Sequence, residues 1–209
     1  MSTLHVVEHS LIKHKLAYVR DKKTSNKDFR ELISEIALLL VYEATRELPT
    51  VGITVETPIT ETECEIVEGR KPVVAPILRA GLGMVDGMLK VMPMAKVGHI
   101  GIYRDPDTYE PVEYFCKMPD SLEERHVFLV DPMLASGVSA SAAADILKKH
   151  GATRISFLCI ISCPEGVRFF QEQHPDIDIF TAAYDKRLND KKYIIPGLGD
   201  AGDRIFGTI

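Results

Sequence analysis

An alternation of short apolar runs with helix-forming stretches begins after Lys71 and most constrains the fold. The apolar runs occupy residues 73–78, 97–103, 127–130, 155–161 and 177–183. The stretches with helical spacing are residues 83–91, 139–150 and 165–174. Strands that alternate with helices form βαβ units, in which buried parallel strands are covered by helices. The sequence therefore predicts an α/β fold with a parallel sheet flanked by helices.

The first 70 residues have a different pattern. Ser25 and Asp28 have the spacing of a capping box, and apolar residues then recur at helical spacing over residues 29–40. This predicts a long amphipathic helix within an N-terminal helical arm of about residues 1–50. Its apolar stripe suits either the core or a subunit interface. Residues 51–67 alternate Thr, Val and Ile, which predicts an antiparallel pair of strands at a sheet edge.

Composition narrows the class of protein. The chain has 209 residues, of which 45% are hydrophobic and 26% charged, with a net charge of −5. These values are typical of a soluble globular domain, and they argue against binding nucleic acid over the whole surface. No apolar run is long enough to span a membrane, and the N-terminus lacks a signal-peptide pattern.

The cysteines and histidines do not have metal-ligand spacing. The four cysteines form no CxxC pair, and the seven histidines are scattered. Cys159 and Cys163 lie in or beside an apolar run and are expected to be buried thiols. We therefore expect a reducing, cytoplasmic setting, with neither structural zinc nor disulfides.

The strongest chemical signal is the segment that follows the apolar run at residues 127–130. This run ends in Asp131 and leads through small residues into a helix, and nine of the ten residues 135–144 are Ala, Ser or Gly. Small side chains let backbone N–H groups approach an anion, and a helix N-terminus favours negative charge. The segment predicts a phosphate site with Ser136 and Ser139 as extra donors, and Asp131 suits sugar hydroxyls. An ordinary strand-to-helix turn is the alternative.

Two arginines follow other predicted strands. Arg79 and Arg104 both lie at carboxyl ends of strands, which meet at one edge of a parallel sheet. Guanidinium groups bind phosphate oxygens bidentately, so the two together favour a diphosphate. Taken singly, each also suits a surface salt bridge.

The C-terminal region is rich in glycine. Residues 196–203 are not expected to form a regular element. The apolar residues Ile205, Phe206 and Ile209 follow and provide anchors, which favours an ordered segment over a free tail. We expect a small C-terminal hood of about residues 185–209 over the site.

Together these motifs resemble the uracil phosphoribosyltransferase family. The similarity rests on Asp131-Pro132-Met133-Leu134-Ala135-Ser136-Gly137, on residues 76–84 and on residues 193–203, and it extends to residues 9–16, 42–45 and 205–208. It covers nearly the whole chain. The resemblance implies a type I phosphoribosyltransferase fold. Because no linker divides the sequence, we expect one domain spanning residues 1–209. It also implies a reaction of uracil with 5-phospho-α-D-ribose 1-diphosphate (PRPP), giving UMP and diphosphate with Mg²⁺ as cofactor.

The resemblance also implies roles for individual residues. The PRPP-binding residues would be Arg79, Arg104, Asp131, Pro132, Met133, Leu134, Ala135, Ser136, Gly137, Val138, Ser139 and Asp200. The uracil-binding residues would be Tyr193, Ile194, Gly199, Asp200 and Ala201. Arg79, Arg104, Asp131 and Asp200 would be the catalytic residues. Asp200 would also contact Mg²⁺, which would be held mostly through PRPP and water.

One position departs from the family pattern. The family usually has Ala-Thr-Gly-Gly-Ser where this chain has Ala135-Ser136-Gly137-Val138-Ser139. A β-branched residue is strained at positive φ. Either the helix has already begun at Val138, or the contacts to PRPP differ from those of the family.

Other expectations concern mobility and partners. Residues 105–114 suit either a mobile lid over PRPP or an ordinary hairpin connection. A homo-oligomer, dimer or tetramer, is expected, and the resemblance implies GTP as an effector in some members. An alternative function is an RNA-binding regulator, because six cations lie between His9 and Lys27, but nucleic acid is not the expected partner. A purine or orotate as the accepted base is a further alternative.

Overall fold

The computed structural model describes residues 1–104 and 111–208, and of Arg104 it describes the backbone alone. The strands within these ranges are β1 (Leu4–Val6), β2 (Thr50–Glu56), β3 (Glu61–Val67), β4 (Val73–Leu78), β5 (Lys96–Val97), β6 (His99–Arg104), β7 (Pro111–Lys117), β8 (His126–Val130), β9 (Met133–Leu134), β10 (Arg154–Ser162), β11 (Asp178–Tyr184), β12 (Arg187–Leu188) and β13 (Ile194–Ile195). The α-helices are α1 (Ser10–Arg20), α2 (Asn26–Ala44), α3 (Leu82–Val91), α4 (Val138–Lys149), α5 (Pro164–Gln173) and α6 (Ala201–Phe206).

A central sheet organises the described residues. Its strand order is β1-β11-β10-β8-β4-β6-β7, with β5 beside β4 and β9 beside β10. The pairings are parallel except that of β6 with β7. The predicted α/β architecture with a parallel sheet is therefore confirmed. The predicted bounds of α3, α4 and α5 each agree with the structure to within one residue.

Successive residues of each central strand contribute to different cores, as side chains that alternate across a sheet must. In β8, Val127 and Leu129 pack with α4 and α5, whereas Phe128 and Val130 pack with α1, α2, α3 and α6. Both faces of the sheet are thus covered, which explains why the strands are continuous apolar runs.

Helix α2 is part of the core. Ser25 caps it by accepting a hydrogen bond from the Asp28 N–H, as the sequence predicted. The apolar stripe at Phe29, Ile33 and Ile36 is fully buried within this chain. The sequence left open whether this stripe packs in the core or at a subunit interface, and the structure places it in the core.

Strands β2 and β3 form the predicted antiparallel pair, but they do not lie at an edge of the central sheet. They make a separate two-stranded sheet. The side chains of Val51, Ile66 and Val67 on this hairpin are 43%, 48% and 51% exposed. The prediction of an edge position was therefore wrong, because alternation of apolar residues does not specify which strand is the neighbour.

The Gly-rich C-terminal stretch contains a helix that the sequence analysis excluded. Helix α6 begins at Ala201, inside the stretch, and Asp200 caps it by accepting from the Asp203 N–H at 2.9 Å. Glycine lowers helix propensity, but this cap and the burial of Ala201 and Ile205 compensate. The expectation of no regular element was wrong for residues 201–203.

Of the proposed lid, residues 105–110 lie outside the described residues, and residues 111–114 belong to β7, which pairs with β6. Cys159 and Cys163 are buried free thiols, as predicted. Among the described residues, no helix combines the length and apolar character needed to cross a bilayer.

Candidate active site

The phosphate loop, residues 131–139, is attached to the sheet by backbone hydrogen bonds. The Asp131 N–H donates to the Leu158 carbonyl at 3.2 Å. The Pro132 carbonyl accepts from the N–H groups of Ile160 and Ile161, both at 3.0 Å. Strand β9 then pairs with β10 in parallel. The first half of the loop is therefore a continuation of the sheet.

The turn from loop to helix occurs at Gly137, which has φ of +81° and precedes the first residue of α4. A Cβ at this position would lie 2.8 Å from the Gly166 carbonyl oxygen and 3.0 Å from the Phe169 ring. Both the backbone conformation and the space therefore require glycine. Val138 is already helical, so the positive φ falls on the residue before it. This answers the conformational question that Val138 raised.

Helix α5 supports the loop from behind. The Cys163 thiol donates to the Ala135 carbonyl at 3.2 Å. A Cβ on Gly166 would overlap the Leu134 and Ala135 carbonyl groups, so glycine permits the close approach of α5 to the loop. Helix α4 has no acidic residue in its first turn and has Lys148 and Lys149 in its last. Its positive N-terminal end therefore remains available to an anion.

Asp131 lies directly after β8, at the entrance to the loop. Its Oδ1 accepts a hydrogen bond from the Met133 N–H at 3.1 Å. The pKa of Asp131 is raised to about 7, chiefly by burial, with a smaller contribution from the charge of Asp200 and an opposing effect of the Met133 N–H. The protein thus disfavours a negative charge on Asp131 until a cation or hydroxyl donors are bound.

The loop and the hood line one cavity of about 260 Å³. The loop contributes Asp131, Met133, Leu134, Ala135, Ser136, Gly137 and Ser139. Arg79, the residue after β4, also lines the cavity. Its guanidinium carbon lies 5.6 Å from the centroid of the Phe206 ring. Asp200 and Gly202 enter from the hood. Two carboxylates, a guanidinium group and the N-terminus of helix α4 therefore face the same space.

The structure brings most of the predicted PRPP-binding residues to this cavity, with three differences. Pro132 is buried and its carbonyl accepts hydrogen bonds from β10, and Val138 does not line the cavity. Arg104 ends β6, next to β4, at the same sheet edge as Arg79, but its side chain lies outside the described residues.

The predicted uracil-binding residues lie in the hood, beside the cavity. Except for Asp200, they do not line the cavity. Ile194 and Ala201 are 5% and 0% exposed, so their side chains belong to the core. Tyr193 has a half-exposed ring, and its N–H and carbonyl are both hydrogen bonded to Asn189. Gly199 is exposed, with φ of +81°. Any contact from Ile194 or Ala201 to a base would therefore use the backbone.

Three lining residues were not predicted from the sequence: Ala80, Ala140 and Gly202. Each is a small residue that directly follows a predicted site residue in the sequence. The only signal for them was their position within the Gly-containing and Ala-rich motifs, because an alanine or glycine carries no chemistry of its own.

Comparison with solved structures establishes the fold. The chain superimposes on an adenine phosphoribosyltransferase from Trypanosoma brucei with a TM-score of 0.58, at 12% identity over 92% of this chain and 85% of that one. At this identity the likeness shows the fold alone. The protein has the type I phosphoribosyltransferase fold, and its cavity lies where this class of α/β sheet binds ligands, at the carboxyl ends of the strands.

Closer relatives define the family. The family model for uracil phosphoribosyltransferase matches residues 6–208. The chain is 58% identical to the uracil phosphoribosyltransferase of Clostridium perfringens and 57% identical to that of Geobacillus kaustophilus, each over the full length of both proteins. The AQ2163 protein from Aquifex aeolicus, 37% identical, superimposes with a TM-score of 0.93 over 99% of both chains. This chain belongs to the uracil phosphoribosyltransferase family.

Proposed function

We propose that the protein transfers the phosphoribosyl group of PRPP to uracil, giving UMP and diphosphate, a pentosyl transfer that serves pyrimidine salvage. The observation that carries this proposal is the cavity in which the phosphate loop, Arg79 and the hood carboxylate Asp200 meet. Family membership over the full chain gives the substrates.

The phosphate loop suits the 5′-phosphate and ribose of PRPP. Backbone N–H groups at residues 135–139 and the N-terminal end of α4 would hold the phosphate. The Ser136 and Ser139 hydroxyls add donors. Asp131 would accept hydrogen bonds from ribose hydroxyls, which orients the anomeric carbon toward the base.

Arg79 and Arg104 would act on the leaving group. Departure of diphosphate from the anomeric carbon gives a transition state with oxocarbenium character, in which negative charge grows on the diphosphate. Guanidinium groups placed at the sheet edge stabilise that charge more than they stabilise the ground state. In our proposal Arg79 does so from the end of β4 and Arg104 from the end of the adjacent β6.

The hood would select the base. Uracil presents an acceptor, a donor and an acceptor along one edge, a pattern that backbone groups near Ile194 and in residues 199–201 can match. Cytosine would face an N–H group with its own amino group, which costs about 1–3 kcal/mol for a buried unpaired polar group. Asp200 would help to remove or balance the proton of the base.

Mg²⁺ fits the donor set. The carboxylates of Asp131 and Asp200 line the same cavity, and burial disfavours the charged form of Asp131, which a divalent cation would offset. Mg²⁺ commonly uses one or two carboxylates together with substrate oxygens and water. Bound with PRPP, it would neutralise diphosphate charge, and Asp200 is the residue expected to contact it.

A homo-oligomer is supported by the hairpin of β2 and β3. An isolated two-stranded sheet is marginally stable in water, and this one exposes Val51, Ile66 and Val67. We propose that a second copy of the chain covers it. Sedimentation of wild type and Ile66→Lys tests this, since a monomeric wild type would contradict it. Whether the assembly is a dimer or tetramer, and whether GTP is an effector, stay predictions.

A nucleic-acid partner has less support. Of the six cations that suggested RNA binding, Lys13, Lys15 and Lys27 pair with glutamates and Arg20 pairs with Asp185. Paired cations offer little net charge to phosphates. The four free thiols suit the reducing cytoplasmic setting that we propose.

A diphosphate-release assay with PRPP and Mg²⁺ tests the proposed reaction. Uracil, cytosine, orotate, hypoxanthine and no base are compared. We expect release with uracil alone, abolished by Asp131→Asn and strongly reduced by Arg104→Ala. Release with a different base and not with uracil would overturn the substrate assignment, and no release from folded protein with or without GTP would overturn the enzyme assignment.

A further inference from the structure

A buried ion pair joins helix α1 to the hood. Arg20 is the last residue of α1, and Asp185 follows β11 at the start of the hood. The two guanidinium nitrogens donate to the two carboxylate oxygens of Asp185 at 2.6 and 2.8 Å. The side chain of Asp185 is 6% exposed and that of Arg20 is 25% exposed. This is bidentate pairing in a largely desolvated place.

The same pair forms hydrogen bonds with both backbone polar groups of Gly197. Arg20 donates to the Gly197 carbonyl at 2.7 Å, and Asp185 Oδ2 accepts from the Gly197 N–H at 2.9 Å. Gly197 has φ of +66°, and a Cβ there would overlap the Ile194 carbonyl. Its conformation is therefore set by the ion pair on one side and by Ile194 on the other.

Gly197 lies between the two backbone segments that the proposed function assigns to the base. Ile194 precedes it by three residues, and Gly199, Asp200 and Ala201 follow it. No strand pairing covers residues 196–200, so the position of this backbone depends on side-chain hydrogen bonds. Arg204 adds to them by donating to the Leu198 carbonyl at 2.7 Å.

We propose that Arg20 and Asp185 are positioning residues for the base: by fixing Gly197 they hold the hood backbone in the arrangement that binds uracil and rejects cytosine. This inference rests on the proposed function. Neither residue lines the cavity, so they act through Gly197 rather than by touching the substrate. The phosphate loop has its own attachment to the sheet, so we expect binding of the 5′-phosphate to be independent of the pair.

A comparison of two ligands that share a 5′-phosphate and a ribose, of which one also carries the base, isolates the contribution of the base to binding. UMP and ribose 5-phosphate are titrated calorimetrically into wild type, Arg20→Lys and Asp185→Asn. Lysine cannot donate to two carboxylate oxygens and a carbonyl in this fork geometry. In either orientation of the asparagine amide, its NH₂ group would face an N–H donor of Arg20. Loss of charge-assisted bonds predicts about ten-fold weaker UMP binding, while ribose 5-phosphate binding changes less than about two-fold.

Steady-state kinetics gives a second measurement. We expect the KM for uracil to rise about ten-fold while kcat falls less than about three-fold. The ratio of kcat/KM for uracil to kcat/KM for cytosine should also decrease. Arg46→Ala is the matched control, because Arg46 also makes an arginine–carboxylate pair, with Glu43, on an exposed part of α2 and its C-terminal turn. It should change none of these values.

Several outcomes would overturn the inference. Folded Arg20→Lys and Asp185→Asn that bind UMP like wild type would do so, as would equal loss of UMP and ribose 5-phosphate. If Arg20→Lys does not fold, the near-isosteric Asp185→Asn decides. Measurements on the wild type alone test the proposed function. If that function is wrong, the wild type will bind UMP no better than ribose 5-phosphate and will release no diphosphate with uracil.

Discussion

The phosphate loop and the hood line the same cavity, but different kinds of hydrogen bond hold them in place. The loop is attached through backbone groups of Asp131, Pro132 and β9 to neighbouring strands. Apart from helix α6, the hood has the short pair of β12 and β13, and its irregular stretch is tied to α1 by the side chains of Arg20, Asp185 and Arg204.

This difference separates two functional demands. A phosphate group needs several N–H donors at fixed positions, which a strand end and a helix terminus supply through regular structure. A flat base needs donors and acceptors in an order that no regular element presents, so side chains must fix the backbone there. We expect substitutions in the loop to act through backbone conformation, and those in the hood to act through lost side-chain bonds.

Gly137→Ala should have the largest effect and would break the loop. The added Cβ faces the Gly166 carbonyl oxygen at 2.8 Å at a φ of +81°. Strain and crowding together cost on the order of 4 kcal/mol. We expect kcat/KM for PRPP to fall at least about a hundred-fold.

Gly151→Ala is the matched control for that variant. Gly151 also has positive φ, +92°, but its Cβ would meet only Glu123, at 3.6 Å. It should lose about 1 kcal/mol of stability through strain, with normal activity. Equal activity in the two variants would show that the backbone at Gly137 does not shape the phosphate site.

Asp131→Asn should raise stability while it removes activity. The pKa of Asp131 is raised from 3.8 to about 7, so the native state binds a proton that the unfolded state has lost between these values. Stability from this group is therefore present below about pH 4 and lost as pH rises through about 7. Without substrate, the variant should match wild type near pH 4 and exceed it by roughly 4 kcal/mol at pH 8.

Urea unfolding of both proteins across this pH range provides the measurement. Using the difference between the two proteins cancels the contribution of other titrating groups. A variant less stable than wild type at pH 8 would mean that Asp131 is held ionised by the fold, contrary to the burial of its carboxyl group.

Arg204→Lys should loosen the hood with a smaller effect. Arg204 donates to the carbonyls of Val19, Leu198 and Asp21, and its guanidinium carbon lies 4.1 Å from the centroid of the Phe29 ring. Lysine keeps the charge but not the fork, which should cost about 2 kcal/mol of stability. We expect the KM for uracil to rise more than that for PRPP. An increase confined to PRPP would contradict the separation of loop and hood.

The sequence predicted the loop better than the hood for the same physical reason. Residues 127–139 encode an apolar strand, a run of small residues and a helix, which are local patterns with a known period. The hood depends on Arg20 and Asp185, which are 165 residues apart, and on a short helix capped by Asp200 within a Gly-rich stretch. Contacts across such separations leave no periodic signal in the sequence. Strand β1 was not predicted, because a strand of three residues has too few alternations to recognise.

Val138→Gly should have the smallest effect and tests whether the valine side chain affects the binding of PRPP. The family pattern has glycine here, but in this chain the positive φ belongs to Gly137, and Val138 is the first residue of α4. A helical backbone tolerates valine, and glycine there is less favourable by up to about 0.5 kcal/mol. We expect a slight loss of stability and a change in the KM for PRPP of less than about three-fold. A large gain in PRPP affinity would instead mean that the valine side chain obstructs the phosphate, and that the N-terminus of α4 must shift when PRPP binds.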